Sequence, residues 1–410
     1  MTQQRILSWL LAISGGLTVY GLNRHAIFYQ KILEPKGWTS FIEIAAAYLV
    51  IAVTCFLLSP RRFLPFLALL GLLIAGGVGG VGAVAAVLLF LAASLALGTF
   101  LLDADHPALA LTAGFSVFVS LLNLTAPLRI HTPVTWLLIL LIPILVCRRG
   151  LREAIDNAMR GLAEVTAVRG VGYWGMVLLA FPLLVHLLIA LKPEVSADGL
   201  AMHLTVPAYI SHHHYWTYDF KNFIWAVMPL NGDFAFTIAY MLGGEFAARL
   251  LNFAAVMIIA SLVYSESRRW VPPAAAAVAT ALFAATPLVH GVTGSLLVEN
   301  IWTLLVMAAV VATVKYRESG NQRLLIAIGV FAGAAIAAKF GASVFLLPAL
   351  PFLAVAARAK RARASSVFAS LALLAICAAP PFVHAQLRTG NPAQGNIVLF
   401  VSFASLSHAV

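Results

Sequence analysis

Asp198 stands just beyond a long apolar run, Tyr173 to Leu191, and heads a polar, aromatic and His-rich stretch reaching Asp233. A carboxylate where an apolar helix meets an aqueous loop can act as a general base, taking the proton of a hydroxyl as it attacks. Glu299, within TPLVHGVTGSLLVENIW, is a second carboxylate at the mouth of an apolar run. An acid there should face a cavity or a cation. Lys339 interrupts GAAIAAKFGASVFLLP, and Arg249 opens the run that follows the polar stretch. An ammonium and a guanidinium in these positions suit a phosphate. His203 lies five residues after Asp198, about one and a half helical turns away, and can orient a substrate. The set combines groups that bind an anion with groups that activate a hydroxyl.

Each residue also has a plainer reading. With Ser196, Asp198 can cap the helix that follows, its oxygen meeting free N–H groups. Glu299 can reach to the membrane interface. His212, His213 and His214 are consecutive, so their side chains diverge and do not form one metal site. Structural zinc is not expected. A divalent ion held by Asp198 and Glu299 stays open, since carboxylates suit hard cations; no other cofactor is expected.

What positions these residues is a membrane. The 410 residues are 62% hydrophobic and 10% charged, against about 25% charged in a soluble domain. Apolar runs long enough to cross a bilayer recur along the chain. They lack the alternation of barrel strands, so they are helices. The sequence predicts an all-α polytopic membrane protein with about 12–13 transmembrane helices. Thirteen candidate spans fall at roughly 6–23, 41–58, 63–80, 82–102, 108–126, 133–148, 172–191, 245–264, 274–292, 297–314, 324–338, 341–357 and 366–385. The pair around Gly76 to Gly82 and the pair split at Lys339 also fit broken or re-entrant helices. The first span lacks a small-x-small cleavage site and reads as uncleaved. Cys55, Cys147 and Cys377 lie in apolar runs and read as buried hydrophobes, with no disulfide or zinc pattern. The net charge of +11 does not point to nucleic acid, because the basic residues sit in short loops and form no basic face.

With the N-terminus placed in the cytoplasm, most of the 26 Lys and Arg fall on the cytoplasmic side, as the positive-inside rule asks. They include Arg61, Arg62, the cluster from Arg148 to Arg169, and Arg358 to Arg363. This arrangement puts the loop after Leu191 outside. Residues 1–148 read as N-terminal transmembrane helices, and 149–171 as a mixed-charge helical linker on the cytoplasmic surface. Residues 172–392 read as a membrane core carrying the outer loop 192–244. Two interfacial helices are expected in that loop, about Asp198 to Tyr215 and Asn231 to Leu242, with Gly243-Gly244 breaking the chain before the next span. An inner or plasma membrane is the expected location.

Several motifs occur in order: D-G-x-x-x-H-L-x-x-P-x-Y from Asp198 to Tyr209, G-G-E-x-A-A-R-L-L-N from Gly243 to Asn252, and the TP-L…E pattern from Thr286 to Glu299. A-K-F-G follows from Ala338 to Gly341, and R-T-G-N-P from Arg388 to Pro392. The series resembles the membrane-embedded GT-C glycosyltransferases, near the dolichyl-phosphate-mannose protein mannosyltransferases and the aminoarabinose transferases. The resemblance covers roughly residues 172–392 and rests on order and spacing. It implies a GT-C-like fold and transfer of a sugar from a polyprenyl-phosphate donor to a glycan, lipid or protein acceptor at the outer face. Asp198 falls on the family's catalytic loop acid, Glu299 near its second-loop acid and Lys339 on a phosphate-side lysine. Many relatives carry Asp where this chain has Glu299. After Pro392 the family pattern continues with a Pro-Phe segment and further spans; residues 393–410 instead read as an atypical or truncated tail.

A secondary transporter is the main alternative. Transporters usually show internal repeats and ionisable groups near the bilayer midplane, whereas the candidate acids here sit at the outer mouths of spans. A multi-pass protein without catalytic activity, using the long loop as a partner surface, is a third reading. Single cysteines at Lys221 and Arg160 in a Cys-free background should label from opposite sides of the membrane, Lys221→Cys reacting with an impermeant reagent from outside. Labelling of both from the same side would defeat the alternation of spans and move Asp198 away from the presumed acceptor.

Overall fold

The computed structural model describes residues 13 and 35–392. The expected first span (6–23) and the tail (393–410) therefore lie outside the described residues, apart from position 13. The described chain is all helical: α1 (Pro35–Leu58), α2 (Phe63–Val78), α3 (Val81–Leu101), α4 (Pro107–Thr125), α5 (Pro133–Val146), α6 (Arg148–Thr166), α7 (Val171–Ala190), α8 (Thr205–His213), α9 (Asn231–Ser267), α10 (Pro273–Ala284), α11 (Pro287–Gly294), α12 (Glu299–Ser319), α13 (Gln322–Ala338), α14 (Ala342–Leu346), α15 (Ala349–Ala359) and α16 (Ala364–Thr389). Eight helices are long and apolar enough to cross a membrane, or up to ten if two bent pairs each count as one span. Many of their large apolar side chains face outward, among them Leu57, Leu58, Val146 and Phe368. Apolar surface of this extent is stable only against lipid. The protein is an integral, multi-pass membrane protein.

Several expected spans are broken, and proline explains the breaks. The stretch 341–357 is two short helices, α14 and α15, because Pro348 cannot continue the ladder of the helix before it. The stretch 274–292 is divided between α10 and α11, with Pro287 opening the second. A bend of 80° separates α5 from α6, and α6 has its charged residues on one face.

The chain divides into two compact units. The first comprises residues 1–72, 160–185 and 263–287. Its core joins α1 to α7: Tyr48, Ala52, Phe63, Tyr173, Val177 and Ala180 pack together. Two tyrosines cross-link the pair, Tyr48 donating to the carbonyl of Val177 at 2.5 Å and Tyr173 to that of Ala52 at 2.6 Å. Both hydroxyls bond carbonyls with no water to serve them, as an apolar surround requires.

Among the described residues, the second unit comprises 73–159, 186–262 and 288–392. Its helices approach closely at glycines. A Cβ on Gly98 would collide with the backbone of Ala110, and one on Gly114 with the backbone of Ser94, so α3 and α4 lie nearly backbone to backbone. Gly329 and Gly333 do the same between α13 and α16, against Ser370 and Leu374. Small residues at helix contacts are how membrane helices gain packing without a hydrophobic drive. The unit also holds α9, which breaks at Gly244 (φ 71°). The segment expected to lie along the interface, Asn231 to Leu242, is buried at nearly every residue through Met241. Asn123 donates to the Asn231 carbonyl oxygen at 2.7 Å, and Asn231 donates to the carbonyl of Ala334 at 3.2 Å. These bonds hold the start of α9 between α4 and α13. Replacing Gly114 with Leu should separate α3 from α4 and destabilise the protein by about 1–3 kcal/mol or more; thermal unfolding in detergent would register it, and an unchanged midpoint would contradict the close packing.

Candidate functional site

The site is assembled around a buried ion pair that begins three residues past Leu191. Glu194 accepts from Arg249 Nη1 at 2.8 Å, and both side chains are only 1% exposed. Its Oε1 also accepts the amides of Val195 (2.9 Å) and Ser196 (2.7 Å), and its Oε2 the amide of Leu296. Arg249 donates in turn to the carbonyls of Ala190 (3.1 Å), Ile189 (3.1 Å) and Gly294 (2.9 Å). Burial pushes the Glu194 carboxyl up, but the Ser196 and Leu296 hydrogen bonds and the Arg249 charge outweigh it and hold the group below the usual carboxylate range. Asn252 reinforces the junction, donating to the carbonyls of Val292 (3.0 Å) and Ser295 (3.2 Å) and accepting from Asn300 at 3.0 Å.

The Arg249 guanidinium bonds one carboxylate and three carbonyls, and so ties the end of α7, the loop after it and the turn before α12 together. A charge inside a span must find partners, and here the partners are protein.

From that junction the loop runs to Asp198. Gly199 lies so close to the Glu194 carboxylate that a Cβ there would overlap it. The Gly199 amide bonds Ser196 Oγ at 3.0 Å, so Ser196 supplies the cap. Asp198 makes no capping bond and its side chain is exposed. A single π-helical turn, Gly199–His203, then delivers His203 inward.

His203 Nδ1 meets Asp233 Oδ1 at 2.6 Å, the two side chains being 8% and 1% exposed. An ionised carboxylate only accepts, so Nδ1 carries the proton. Burial pulls the His203 pKa down, but the Asp233 charge and hydrogen bond raise it further, aided by Glu299 and opposed by Lys339. The net direction is upward. Asp233, Glu299 and Lys339 therefore all lie within electrostatic reach of His203. Glu299 opens α12 and pairs with Lys339, which sits in extended conformation at the end of α13. Gly232 permits the approach, since a Cβ on it would lie 2.6 Å from Val298. Asp233 Oδ2, Glu299 Oε2 and Trp302 Nε1 are buried with no hydrogen-bond partner among the described residues.

The structure thus brings His203, Glu299 and Lys339 together. It puts Asp198 at the head of the turn leading to them and holds Arg249 among protein partners. Among the described residues no three His, Cys, Asp or Glu side chains come together as a metal-binding group. Glu194 and Asp233 were not singled out in the sequence. The available signal was charge balance: an arginine inside an apolar run and a histidine in a turn each call for a carboxylate, and the loop supplies several, Glu194 and Asp233 among them.

Residues 228–384 match the family model for dolichyl-phosphate-mannose-protein mannosyltransferases, which indicates a membrane glycosyltransferase. The match takes in Asp233, Arg249, Glu299 and Lys339 and spans less than half of the chain. Comparison with curated proteins and with solved structures gives no match.

Glu194→Gln should leave the buried Arg249 charge without its counter-ion and cost about 3–5 kcal/mol, as breaking a buried pair does. Because the folded pKa of Glu194 is depressed, its contribution is present above the unfolded carboxylate pKa and is lost as pH falls through the folded value. Unfolding scans across acid pH should show that loss in the parent and not in Glu194→Gln. Equal stability and equal acid sensitivity would remove the pair from its central place.

Proposed function

We propose that the protein transfers a sugar from a polyprenyl-phosphate donor to an acceptor hydroxyl at the outer face of the membrane, with Asp198 as general base. The observation that carries this reading is the Glu299–Lys339 pair beside the His203–Asp233 dyad. It gathers at one place a partly exposed cation and a histidine held toward its charged form. Lys339 is 48% exposed and Glu299 28% exposed, so the ammonium can exchange its carboxylate for a donor phosphate.

In the reaction the acceptor oxygen attacks the anomeric carbon as the bond from that carbon to the phosphate oxygen breaks. The phosphate leaves with the bonding electrons, and its charge is met by Lys339 and by the His203 imidazolium. The acceptor proton passes to Asp198. Attack opposite the leaving group inverts the anomeric centre. Ser196 makes the capping bond, which leaves both Asp198 oxygens for this work. A lipid donor suits the location, because the carrier chain stays among lipid tails while the acceptor arrives from water. Asp233 acts through His203, fixing its tautomer and favouring its charge.

Asp198→Asn keeps size and removes basicity. Transfer from a polyprenyl-phosphate hexose should fall by about 10²–10⁴, with membrane insertion and unfolding temperature unchanged. Lys339→Ala should weaken use of the same donor. Retained transfer in Asp198→Asn would defeat the base assignment, and unaltered donor use in Lys339→Ala the phosphate assignment.

A further inference from the structure

A second feature of the same unit is not used by that chemistry. A cavity of about 670 Å³ opens between the loop 215–221 and the end of α16. Its volume lies in the usual range for small-molecule sites, roughly 300–1,000 Å³. Tyr215, Tyr218 and Phe220 line it together with Lys221 and Arg388. The two cations make no side-chain hydrogen bond or ion pair among the described residues. The one acid in the wall, Asp219, accepts from Asn222 Nδ2 and from the amides of Lys221 and Asn222, and its charge also acts on Lys221.

The wall is rigid. Trp216 donates its indole N–H to the carbonyl of Ala226 at 3.0 Å, and its amide bonds Ala126 at 2.7 Å. Tyr218 is buried, stacks on His384 with centroids 3.8 Å apart, and holds a left-handed backbone (φ 51°). A bulky residue rarely adopts that conformation, and it persists where the surroundings enforce it. At the other end of the cavity Gly390 (φ 73°) ends α16, setting Arg388 in its last turn.

The cavity is also tied to the site. Tyr218 Oη lies 3.5 Å from Asn123 Oδ1, and Asn123 bonds Asn231 at 2.7 Å. Asn231 stands two residues before Asp233. One hydrogen-bonded chain therefore joins the cavity wall to the helix start that holds His203.

We propose that this cavity is a binding subsite for an acidic saccharide, a sugar bearing a phosphate or carboxylate. The Phe220 ring, half-buried in the wall, receives the C–H face of a pyranose ring, while Tyr218 is buried against His384 and backs the wall. Lys221 and Arg388 receive the acid group, the arginine in bidentate fashion. Its assignment as the acceptor's subsite rests on the transferase reading; the binding itself does not.

The test is a binding titration of the full chain in detergent, with no donor present. The probes are a disaccharide ending in glucuronic acid and its neutral counterpart ending in glucose, followed by ligand-observed NMR. The parent should bind the acidic probe about tenfold more tightly, a difference of about 1.4 kcal/mol. Lys221→Gln with Arg388→Gln should erase the preference, both positions being exposed and free of structural bonds. Phe220→Ala should weaken both probes alike, and Lys339→Gln should change neither. No preference in the parent, a preference surviving the double substitution, unchanged binding in Phe220→Ala, or equal loss in Lys339→Gln would each overturn the proposal. Since no turnover is measured, its failure leaves the transferase reading intact, and a chain that binds but does not transfer counts against that reading alone.

Discussion

The buried contact between Glu194 and Arg249 is the constraint on which the second unit depends. Two opposite charges are removed from water, a step that costs several kcal/mol per ion unless every donor and acceptor is met. Here the requirement is satisfied: the carboxylate collects three backbone amides and the guanidinium three carbonyls, besides each other. Satisfying it forces the end of α7, the loop after it and the turn before α12 to meet at one point. Asp198, His203 and Glu299 all lie within a few residues of the segments so joined. Their geometry is inherited from a contact that touches no ligand.

The second constraint is the close approach of helices at glycines and asparagines. Gly98, Gly114, Gly329 and Gly333 bring backbones together where lipid gives no reason to associate. Asn123, Asn231, Asn252 and Asn300 then add directional bonds in a dry surround, where an unmet amide is costly. The first unit uses tyrosine hydroxyls for the same purpose. Both devices fix position without charge, leaving the charged side chains to the site.

Much of the architecture was legible because lipid imposes a simple rule: apolar runs must be helices. The break at Gly243-Gly244 was also readable, since the combination of φ 71° and ψ −165° found at Gly244 is essentially confined to glycine. The breaks at Pro287 and Pro348 were available in the sequence, but hydropathy averages over them and predicts continuous spans. Of the site, His203, Glu299 and Lys339 were readable as polar groups at the mouths of apolar runs. Arg249 was read as a phosphate ligand because a lone cation at a span's start looks the same whether its partner is substrate or protein. Only the fold brings Glu194 to it, 55 positions earlier in the chain. The cavity by Tyr218 was not legible, because Arg388 and the aromatic loop lie far apart in sequence and meet only in three dimensions.

The direction of that separation has a consequence for how the chain is made. A ribosome releases Ile189, Ala190 and Glu194 before Arg249, and Gly294 and Leu296 after it. An arginine near the middle of a nascent helix is among the least welcome residues for the insertion machinery, by about 2.5–3.5 kcal/mol. Here its counter-ion and two of its carbonyls are already in place when it arrives. The remaining contacts come with the next hairpin, so assembly of this region can proceed from the N-terminal side without ever presenting the arginine to lipid alone.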